Sequence, residues 1–244
     1  MKMITWTSLE NEREEEEERI KGDRAVSLTC PAREAEVEET DTSSSSSLAY
    51  RAIKRFSDIV IALGGLLVFG LPILVIAFLV WREDKHSPIF KQERIGKGGK
   101  PFTLYKFRSM RIDAEKGGRP QLCATEGQDP RLTKVGSFIR NHHLDEFPQL
   151  WNILRGDMSF VGYRPERQFF IDQIMEADPR YEELYEMRPG VFSEATLYNG
   201  YTDTLAKMLH RLEMDRDYIK SPSLMRDLSI IWKTSLSILS FKKF

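Results

Sequence analysis

Two adjacent carboxylates, Asp145 and Glu146, open a stretch of sequence typical of a helix. Acids are common in the first turn of a helix, where the macrodipole favours negative charge, so the pair could simply stabilise a helix start. An aspartate can also attack phosphorus and form an aspartyl phosphate, and magnesium binds one or two carboxylates together with phosphate oxygens and water. At a helix start both side chains can share one cation. The pair alone leaves both interpretations open.

Basic residues gather in the loops and at the ends of the predicted elements rather than along one solvated face. Arginine forks match phosphate oxygens in pairs, and such cations could neutralise a diphosphate that would otherwise repel an attacking carboxylate. The residues concerned are Lys106, Arg108, Arg140, Arg164 and Arg188. They favour a phosphate-bearing substrate.

The first 48 residues have the composition of a disordered, solvated tail. They contain the stretches EREEEEERIKG and TDTSSSSS, few apolar residues, and 13 acidic against 6 basic side chains. Such a segment buries too little apolar surface to offset the entropy of folding. The remaining residues carry 30 basic and 24 acidic side chains. The net charge of −1 therefore hides a basic body, which suits phosphate, nucleic acid or anionic lipid as a partner.

The cysteines and histidines favour neither a disulfide framework nor a zinc site. Cys30 and Cys123 lack a metal-ligand spacing and suit a reducing compartment. His142 and Glu146 are four positions apart, but a zinc site needs three or four ligands and no third follows at a useful spacing. We interpret His142 and His143 as polar residues of a loop between two helices, and their role stays open.

An uncharged run from Ile59 to Trp81 predicts a membrane helix. As a straight helix it would be about 34 Å long, enough to cross a hydrocarbon core of about 30 Å and longer than a usual buried helix. Pro72 near its middle can break it. A spanning helix should show asymmetric flanking charge, yet both flanks are basic. The flanking residues are Arg51, Lys54, Arg55, Arg82, Lys85, Lys91 and Arg94. We therefore predict that residues 49–84 form a re-entrant helix with both ends in the cytoplasm, in preference to a spanning helix.

Residues 85–244 have the pattern of helices with one β-hairpin. Alternation in FTLYKF and three nearby glycines predict the hairpin, which lacks the spacing of a phosphate-binding loop. RLTKVGSFIRN and EFPQLWNILRG predict two helices, with Phe138 and Trp151 on their apolar faces. One or two helices follow in PERQFFIDQIMEADPRYEELYEM, then a loop-like stretch from 188 to 203, then two amphipathic helices. The last could pack in the core or lie on a membrane surface.

Several stretches, in this order, resemble the bacterial sugar transferases, the monotopic polyprenyl-phosphate phosphoglycosyl transferases. They are KRFSDIVIALGGLLVFGLPILVIAFLV, SPIFKQERIGKGGKPFTLYKFRSM, DPRLTKVGSFIRNHHLDEFPQLWNILRGDMSFVGYRPE and RPG. The resemblance extends over residues 50–240. It implies a mainly α fold with a short β-hairpin, in which a re-entrant helix broken near Pro72 precedes a helical catalytic domain, residues 85–244, with amphipathic interfacial helices.

The resemblance also implies a ping-pong reaction that depends on Mg²⁺. Asp145 would attack a UDP-sugar and release UMP, and the aspartyl phosphosugar would pass to undecaprenyl (polyprenyl) phosphate. Glu146 would be the principal metal ligand and Asp145 a second one. Arg140, Arg164 and Pro165 fall where the family has phosphate-contacting or positioning residues. The same roles are carried over to Lys106, Arg108 and Arg188 on a looser match to the family pattern. Such a step initiates the synthesis of bacterial surface polysaccharides, such as exopolysaccharide, capsule or O-antigen, or of glycoconjugates.

The family further implies an inner-membrane protein with its catalytic domain on the cytoplasmic face, in contact with lipid and not with nucleic acid, and it allows a homodimer. Two stretches depart from the family pattern: VGYRP replaces VGPRP, and RPGVFSEATL replaces RPGITGLAQV. The second departure leaves the sugar undetermined. The alternative is a non-catalytic membrane-associated assembly or regulatory protein that retains the fold. A nucleic-acid binder is disfavoured because no recognisable nucleic-acid module accompanies the basic residues.

Overall fold

The computed structural model describes residues 43–114, 129–200 and 204–240, which are mainly helical. The helices are α1 (Ser43–Asp84), α2 (Lys134–Asn141), α3 (Gln149–Arg155), α4 (Gln168–Ala177), α5 (Glu194–Asn199), α6 (Leu205–Lys220) and α7 (Leu224–Leu239). The strands are β1 (Ile89–Ile95), β2 (Pro101–Phe107), β3 (Ser159–Val161) and β4 (Gly190–Phe192), and the 3-10 segments are Lys97–Gly99, Leu144–Glu146 and Pro179–Glu186. The predicted disordered tail lies outside the described residues, except for residues 43–48, which begin α1.

Helix α1 is continuous where the sequence predicts a break. It begins at Ser43 rather than at residue 49, and it continues through Pro72 to Asp84. A proline inside a helix removes one hydrogen bond and can bend the helix without ending it. The break near Pro72 is therefore not confirmed, and the re-entrant path of the helix stays a prediction.

By length and composition, α1 is able to cross a membrane. Only 11% of its most apolar 18-residue window is buried, so it is not the core helix of a soluble fold. Exposed apolar side chains cover a broad face of the helix, where neighbours such as Leu67 and Val68 are both exposed. Some of them are spaced three or four residues apart and so lie along one line of this face. We call these the apolar stripe; its members are Leu63, Leu67, Leu71, Leu74 and Phe78.

The N-terminal half of α1 is fixed to three other elements. Lys54 donates a hydrogen bond to the Asp227 carboxylate of α7 at 2.7 Å. Arg55 donates to the last carbonyl oxygens of α3 at 2.6 and 3.0 Å, where a cation also complements the helix dipole. The Asp58 carboxylate accepts the backbone N–H of Phe160 in β3 at 3.0 Å. The KRFSD stretch is therefore an attachment site for the rest of the chain.

The C-terminal half of α1 packs on the same folded body. Ile76 and Val80 lie in an apolar cluster with side chains of β2 and α2. The Glu83 carboxylate accepts the first backbone N–H of α2 at 2.8 Å, and the Asp84 carboxylate accepts a hydrogen bond from Arg108 Nη2 at 2.5 Å. Both halves of α1, on either side of Pro72, are thus attached to one body.

The predicted hairpin is confirmed. Strands β1 and β2 are antiparallel, with Ile89 opposite Phe107 and Ile95 opposite Pro101. Gly98 and Gly99 in the turn have φ values of 70° and 68°, a left-handed conformation that glycine adopts without steric cost. The predicted turn chemistry is therefore the reason that the strands pair in this register.

The sequence predicts a loop over 188–203, but the described part of this stretch, residues 188–200, contains β4 and α5. Strand β4 pairs in parallel with β3, with Ser159 opposite Gly190. A Cβ atom on Gly190 would lie 2.1 Å from the backbone nitrogen of Gly162. The two backbone segments can therefore come this close only because residue 190 is a glycine. Strands of three residues are too short to show an alternating pattern. This contact brings the VGYRP and RPG motifs together.

The residues predicted for the buried apolar faces of α2 and α3 are partly wrong. Phe138 of α2 and Trp151 of α3 are 57% and 54% exposed. On α3 the neighbouring Asn152 is buried instead, because its Nδ2 donates to the Thr103 carbonyl at 2.7 Å and its Oδ1 accepts the N–H of Tyr105 at 3.1 Å. The hydrogen bonds to the edge of β2 therefore explain why Asn152, rather than Trp151, lies on the buried face of α3.

Helix α7 has one packed face and one exposed apolar face. Ile230 is buried in a cluster with Val161 and Tyr218. The exposed apolar side chains again follow helical spacing, and they are Met225, Leu228, Trp232 and Leu236. The predicted core packing is confirmed for one face of the helix, and contact of the other face with a membrane surface stays a prediction.

A buried acid on α6 makes stability depend on pH. The Asp215 carboxylate accepts a hydrogen bond from Ser193 Oγ at 2.9 Å. Burial raises the pKa of Asp215 to about 7, although Arg211 and Ser193 lower it. Between the unfolded and folded pKa values the folded chain holds a proton that the unfolded chain releases, so the free energy of unfolding falls as pH rises.

Asp215→Asn should therefore stabilise the protein at high pH. One pKa unit corresponds to about 1.4 kcal/mol, so we expect the variant to unfold about 5 °C or more above the unaltered protein at pH 8. The difference should shrink toward zero below about pH 3, where both states hold the proton. Thermal unfolding measured across this pH range checks the expectation, and equal unfolding temperatures at pH 8 would contradict it.

Candidate active site

The two predicted catalytic acids lie on the 3-10 segment Leu144–Glu146, between α2 and α3. Helix α3 begins at Gln149, after Pro148, rather than near Asp145 as predicted. In a 3-10 turn consecutive side chains point about 120° apart, so the two acids can face different surroundings. The geometry around each one is indeed different.

Two cations hold the Glu146 carboxylate. Lys106 Nζ of β2 donates to Glu146 Oε1 at 2.8 Å, and Arg164 Nη2 donates to the same oxygen at 3.3 Å. Burial would raise the pKa of Glu146, but Lys106 and Arg164 outweigh it and lower the pKa to about 2. Glu146 is therefore an anion at neutral pH, and Lys106 and Arg164 both donate to the same one of its two oxygens.

The Asp145 carboxylate is buried beside the same charges. Burial and the neighbouring Glu146 anion raise the pKa of Asp145, whereas Lys106 and Arg140 lower it. A carboxylate whose ionised form is poorly solvated binds a proton, a metal or an electrophile more readily than an exposed one. Asp145 thus has the surroundings of a reactive group, and Glu146 those of a fixed anion.

The two histidines before the dyad have different environments. His142 Nδ1 lies 2.8 Å from the Phe138 carbonyl oxygen, and its ring lies 4.4 Å from the Phe138 ring. His143 has a φ of 54°, which is unusual for a residue with a side chain. Burial lowers the pKa of His143, although Glu146 and Asp145 raise it. His142 thus closes α2, and His143 borders the dyad.

The predicted phosphate-contacting residues do not all meet at the dyad. Lys106 and Arg164 do, and Arg140 is close enough to affect the pKa of Asp145. Arg108 instead binds Asp84 at the end of α1. Arg188 Nε donates to the Gly156 carbonyl at 2.8 Å, at the far end of α3 from the dyad, and the Pro165 carbonyl accepts a hydrogen bond from Arg94 Nη1 at 2.9 Å. This geometry does not support a phosphate-binding role for Arg108 or Arg188.

The dyad lies beside the middle of α1. Phe147, which follows Glu146, stacks on Phe69 with ring centroids 5.0 Å apart. Phe69 belongs to the apolar part of α1, three positions before Pro72. A charged site and an apolar surface are therefore adjacent, as a substrate with a charged head and a lipid tail requires.

Comparison with known proteins is consistent with this arrangement. A model of the family described as bacterial sugar transferase matches residues 49–241. The chain belongs to the bacterial sugar transferase family. The match includes α1, the hairpin, the dyad and the helices up to α7, and it leaves out the acidic tail.

Several family members with assigned names resemble this chain. A Bacillus subtilis protein, to which its name ascribes undecaprenyl-phosphate N-acetylgalactosaminyl 1-phosphate transfer, is 49% identical over 57% of this chain and 75% of its own length. An Aeromonas hydrophila UDP-N-acetylgalactosamine-undecaprenyl-phosphate N-acetylgalactosaminephosphotransferase is 39% identical over 78% of this chain. An Escherichia coli UDP-glucose:undecaprenyl-phosphate glucose-1-phosphate transferase is 38% identical over 75% of it. The matches cover only 44% and 39% of the last two relatives.

The side chains of this family member fit a magnesium ion at the dyad. Among the described residues no group of three or more His, Cys, Asp or Glu side chains converges. Magnesium does not need such a group, because it binds one or two carboxylates and completes its shell with phosphate oxygens and water. The anionic Glu146 and the adjacent Asp145 supply those carboxylates.

A buried ion network close to Arg164 is not evident from the sequence pattern. The Glu166 carboxylate accepts hydrogen bonds from Arg94 of β1 and Arg211 of α6. Glu166 is 8% exposed, and it follows Arg164 and Pro165 in the chain. Its place directly after the Arg-Pro pair is the one signal in the sequence that could have drawn attention to it.

Proposed function

We propose that this chain transfers a phosphosugar from a UDP-sugar to undecaprenyl phosphate and releases UMP. The named relatives carry out this type of transfer according to their names. The observation that carries the proposal is the dyad, in which a buried Asp145 adjoins a Glu146 anion held by Lys106 and Arg164. The apolar α1 next to it accounts for a lipid-linked acceptor.

In the first half-reaction, an oxygen of Asp145 attacks the sugar-bearing phosphorus of the UDP-sugar. A bond forms between this oxygen and phosphorus, and the bond from phosphorus to the UMP oxygen breaks. Arg140, which is within electrostatic range of Asp145, can stabilise the negative charge of the diphosphate. Bound Mg²⁺ would supply further neutralisation of phosphate charge, with Glu146 as its principal ligand.

In the second half-reaction, an oxygen of the polyprenyl phosphate attacks the phosphorus of the aspartyl phosphosugar. The new bond yields the polyprenyl diphosphate sugar, and Asp145 leaves as a carboxylate. Glu146, the neighbour of Asp145, stays anionic in both half-reactions, because Lys106 and Arg164 lower its pKa. This step would begin the assembly of a surface polysaccharide or glycoconjugate.

We propose that the chain is held at the inner membrane by the apolar stripe of α1, which would contact lipid, with the catalytic body on the cytoplasmic face. The attachment of both halves of α1 to one body supports a path that enters and leaves on the same side. The exposed apolar face of α7 would lie on the same surface. Basic residues at both ends of α1 agree with two cytoplasmic ends.

Release of UMP tests the proposed reaction. The purified full chain should release UMP from at least one member of a UDP-sugar panel in the presence of Mg²⁺ and undecaprenyl phosphate. Chelation of Mg²⁺ should abolish the release, because phosphate charge is then no longer neutralised. A luminescent UMP assay measures both effects. An absence of UMP with every sugar would refute the proposal and favour the non-catalytic alternative.

A further inference from the structure

A buried carboxylate that takes no part in the proposed reaction, Glu166, lies within electrostatic range of Arg164, a partner of the dyad. Arg94 Nη1 donates to Glu166 Oε2 at 3.2 Å, and Arg211 Nη2 donates to Glu166 Oε1. The backbone is held as well, since the Glu166 carbonyl accepts the N–H of Ile95 at 3.1 Å. We call Arg94, Glu166 and Arg211 the clamp.

The clamp has little freedom of its own. Arg94 Nε and Nη2 both donate to Gln92 Oε1, at 2.9 and 2.6 Å, so the guanidinium plane is fixed. Burial would raise the pKa of Glu166, but Arg211, Arg94 and Arg164 lower it, so the carboxylate is ionised. A buried ion pair is costly to form and contributes little net stability unless its geometry is well satisfied. The two guanidinium donors satisfy it here.

The clamp is connected to the dyad through two consecutive residues. Arg94 Nη1 also donates to the Pro165 carbonyl at 2.9 Å, and the proline ring fixes the backbone φ there. Arg164, the next residue back, donates to Glu146 Oε1 at 3.3 Å. Its guanidinium lies within electrostatic range of both acids, since it lowers the pKa of Glu146 and of Glu166. The position of Arg164 is thus set from both sides.

We propose that Glu166, held by Arg94 and Arg211, is a positioning residue that keeps Arg164 on Glu146 during phosphosugar transfer. This inference rests on the proposed function. A displacement of about 1 Å in a group that orients a reaction can cost about 100-fold in rate. A change at Glu166 should therefore act on the reaction through Arg164, although Glu166 itself touches neither Asp145 nor Glu146.

A double-mutant cycle separates this role from a general effect on folding. Glu166→Gln keeps the shape of the side chain and removes its charge. We expect it to lower kcat for UMP release by about 10- to 100-fold when Arg164 is present, and by less than about 3-fold in an Arg164→Ala background. A purely structural effect would lower kcat by the same factor in both backgrounds.

A matched control removes an arginine–glutamate pair elsewhere. Glu183 accepts two hydrogen bonds from Arg216 of α6, at 2.8 and 2.9 Å. Glu183→Gln is the same chemical change, and kcat should stay within about 2-fold. If Glu166→Gln fails to fold, Arg94→Lys takes its place in the cycle, because lysine keeps the charge but cannot hold Gln92 and Glu166 together.

Each outcome of the cycle decides the inference. Equal losses from Glu166→Gln with and without Arg164, or a kcat unchanged by Glu166→Gln, would overturn it. A loss that disappears when Arg164 is removed supports it. Failure of the proposed function is recognised separately, because then the unaltered protein itself releases no UMP from any UDP-sugar.

Discussion

Asp145→Asn should abolish phosphosugar transfer, with UMP release reduced by about 10⁴-fold or more. Asparagine has nearly the shape of aspartate but no nucleophilic carboxylate oxygen, so no aspartyl phosphosugar can form. The folded state should survive the change. Burial and Glu146 raise the pKa of Asp145, which means that its charge is unfavourable in the fold, and removal of this charge should not destabilise it.

The experiment follows a radiolabelled phosphosugar. Incubation with labelled UDP-sugar, without the lipid acceptor, should leave label on the unaltered protein after denaturation and none on Asp145→Asn. Asp215→Asn is the matched control, since it makes the same change at another buried aspartate, and its label and rate should remain. Label retained by Asp145→Asn would move the nucleophile to another residue.

The raised pKa of Asp145 gives the same prediction a second test. A nucleophilic carboxylate must be ionised, and Asp145 has a raised pKa. The rate should therefore fall with decreasing pH at a higher pH than an ordinary aspartate would allow. A rate that persists unchanged down to the ordinary aspartate range would contradict the assignment of Asp145 as the attacking group.

Local patterns predict much of this fold because their causes are local. The hairpin follows from alternating side chains and from glycines that adopt positive φ, and the end of α3 follows from Gly156, whose φ is 90°. The dyad itself is visible because its two acids are adjacent. Features whose causes lie within a few residues are thus accessible to a single sequence.

The missed features depend on partners far apart in the chain. Arg94 and Glu166 are 72 positions apart, and Lys106 and Glu146 are 40. Nothing in the composition of β1 marks Arg94 as a partner of a distant acid. The burial of Asn152 likewise depends on the free backbone edge of β2. Such pairings are set by tertiary packing, which overrides the local preferences that a sequence pattern records.

The second large effect is expected from the apolar stripe of α1. Leu67 and Leu71 are 87% and 73% exposed, and both lie in the uncharged run. A lysine at the centre of a membrane helix costs about 2.5–3.5 kcal/mol, so the double change Leu67→Lys with Leu71→Lys should weaken membrane association by about 10⁴-fold. Flotation of the full chain with liposomes measures this loss.

A matched variant separates membrane contact from general damage. Leu48→Lys introduces the same charge at an exposed leucine of the same helix, outside the uncharged run. It should float with liposomes as the unaltered protein does. Equal flotation of the double variant would mean that the stripe does not enter lipid, and α1 would then be an exposed apolar face covered by something else.

The path of α1 decides between a re-entrant and a spanning helix. Lys54 is bound to Asp227 before Pro72, and Asp84 is bound to Arg108 after it, so both ends of the helix are tied to one polar body. A spanning helix would have its two ends on opposite sides of the membrane. One of these ion pairs would then have to lie within the hydrocarbon core, at a cost of several kcal/mol for each charge. Single cysteines at residues 51 and 91 should therefore react with an impermeant reagent from the same side of the membrane. Labelling from opposite sides would refute the re-entrant path, and it would also require that one of the two ion pairs be broken in the membrane.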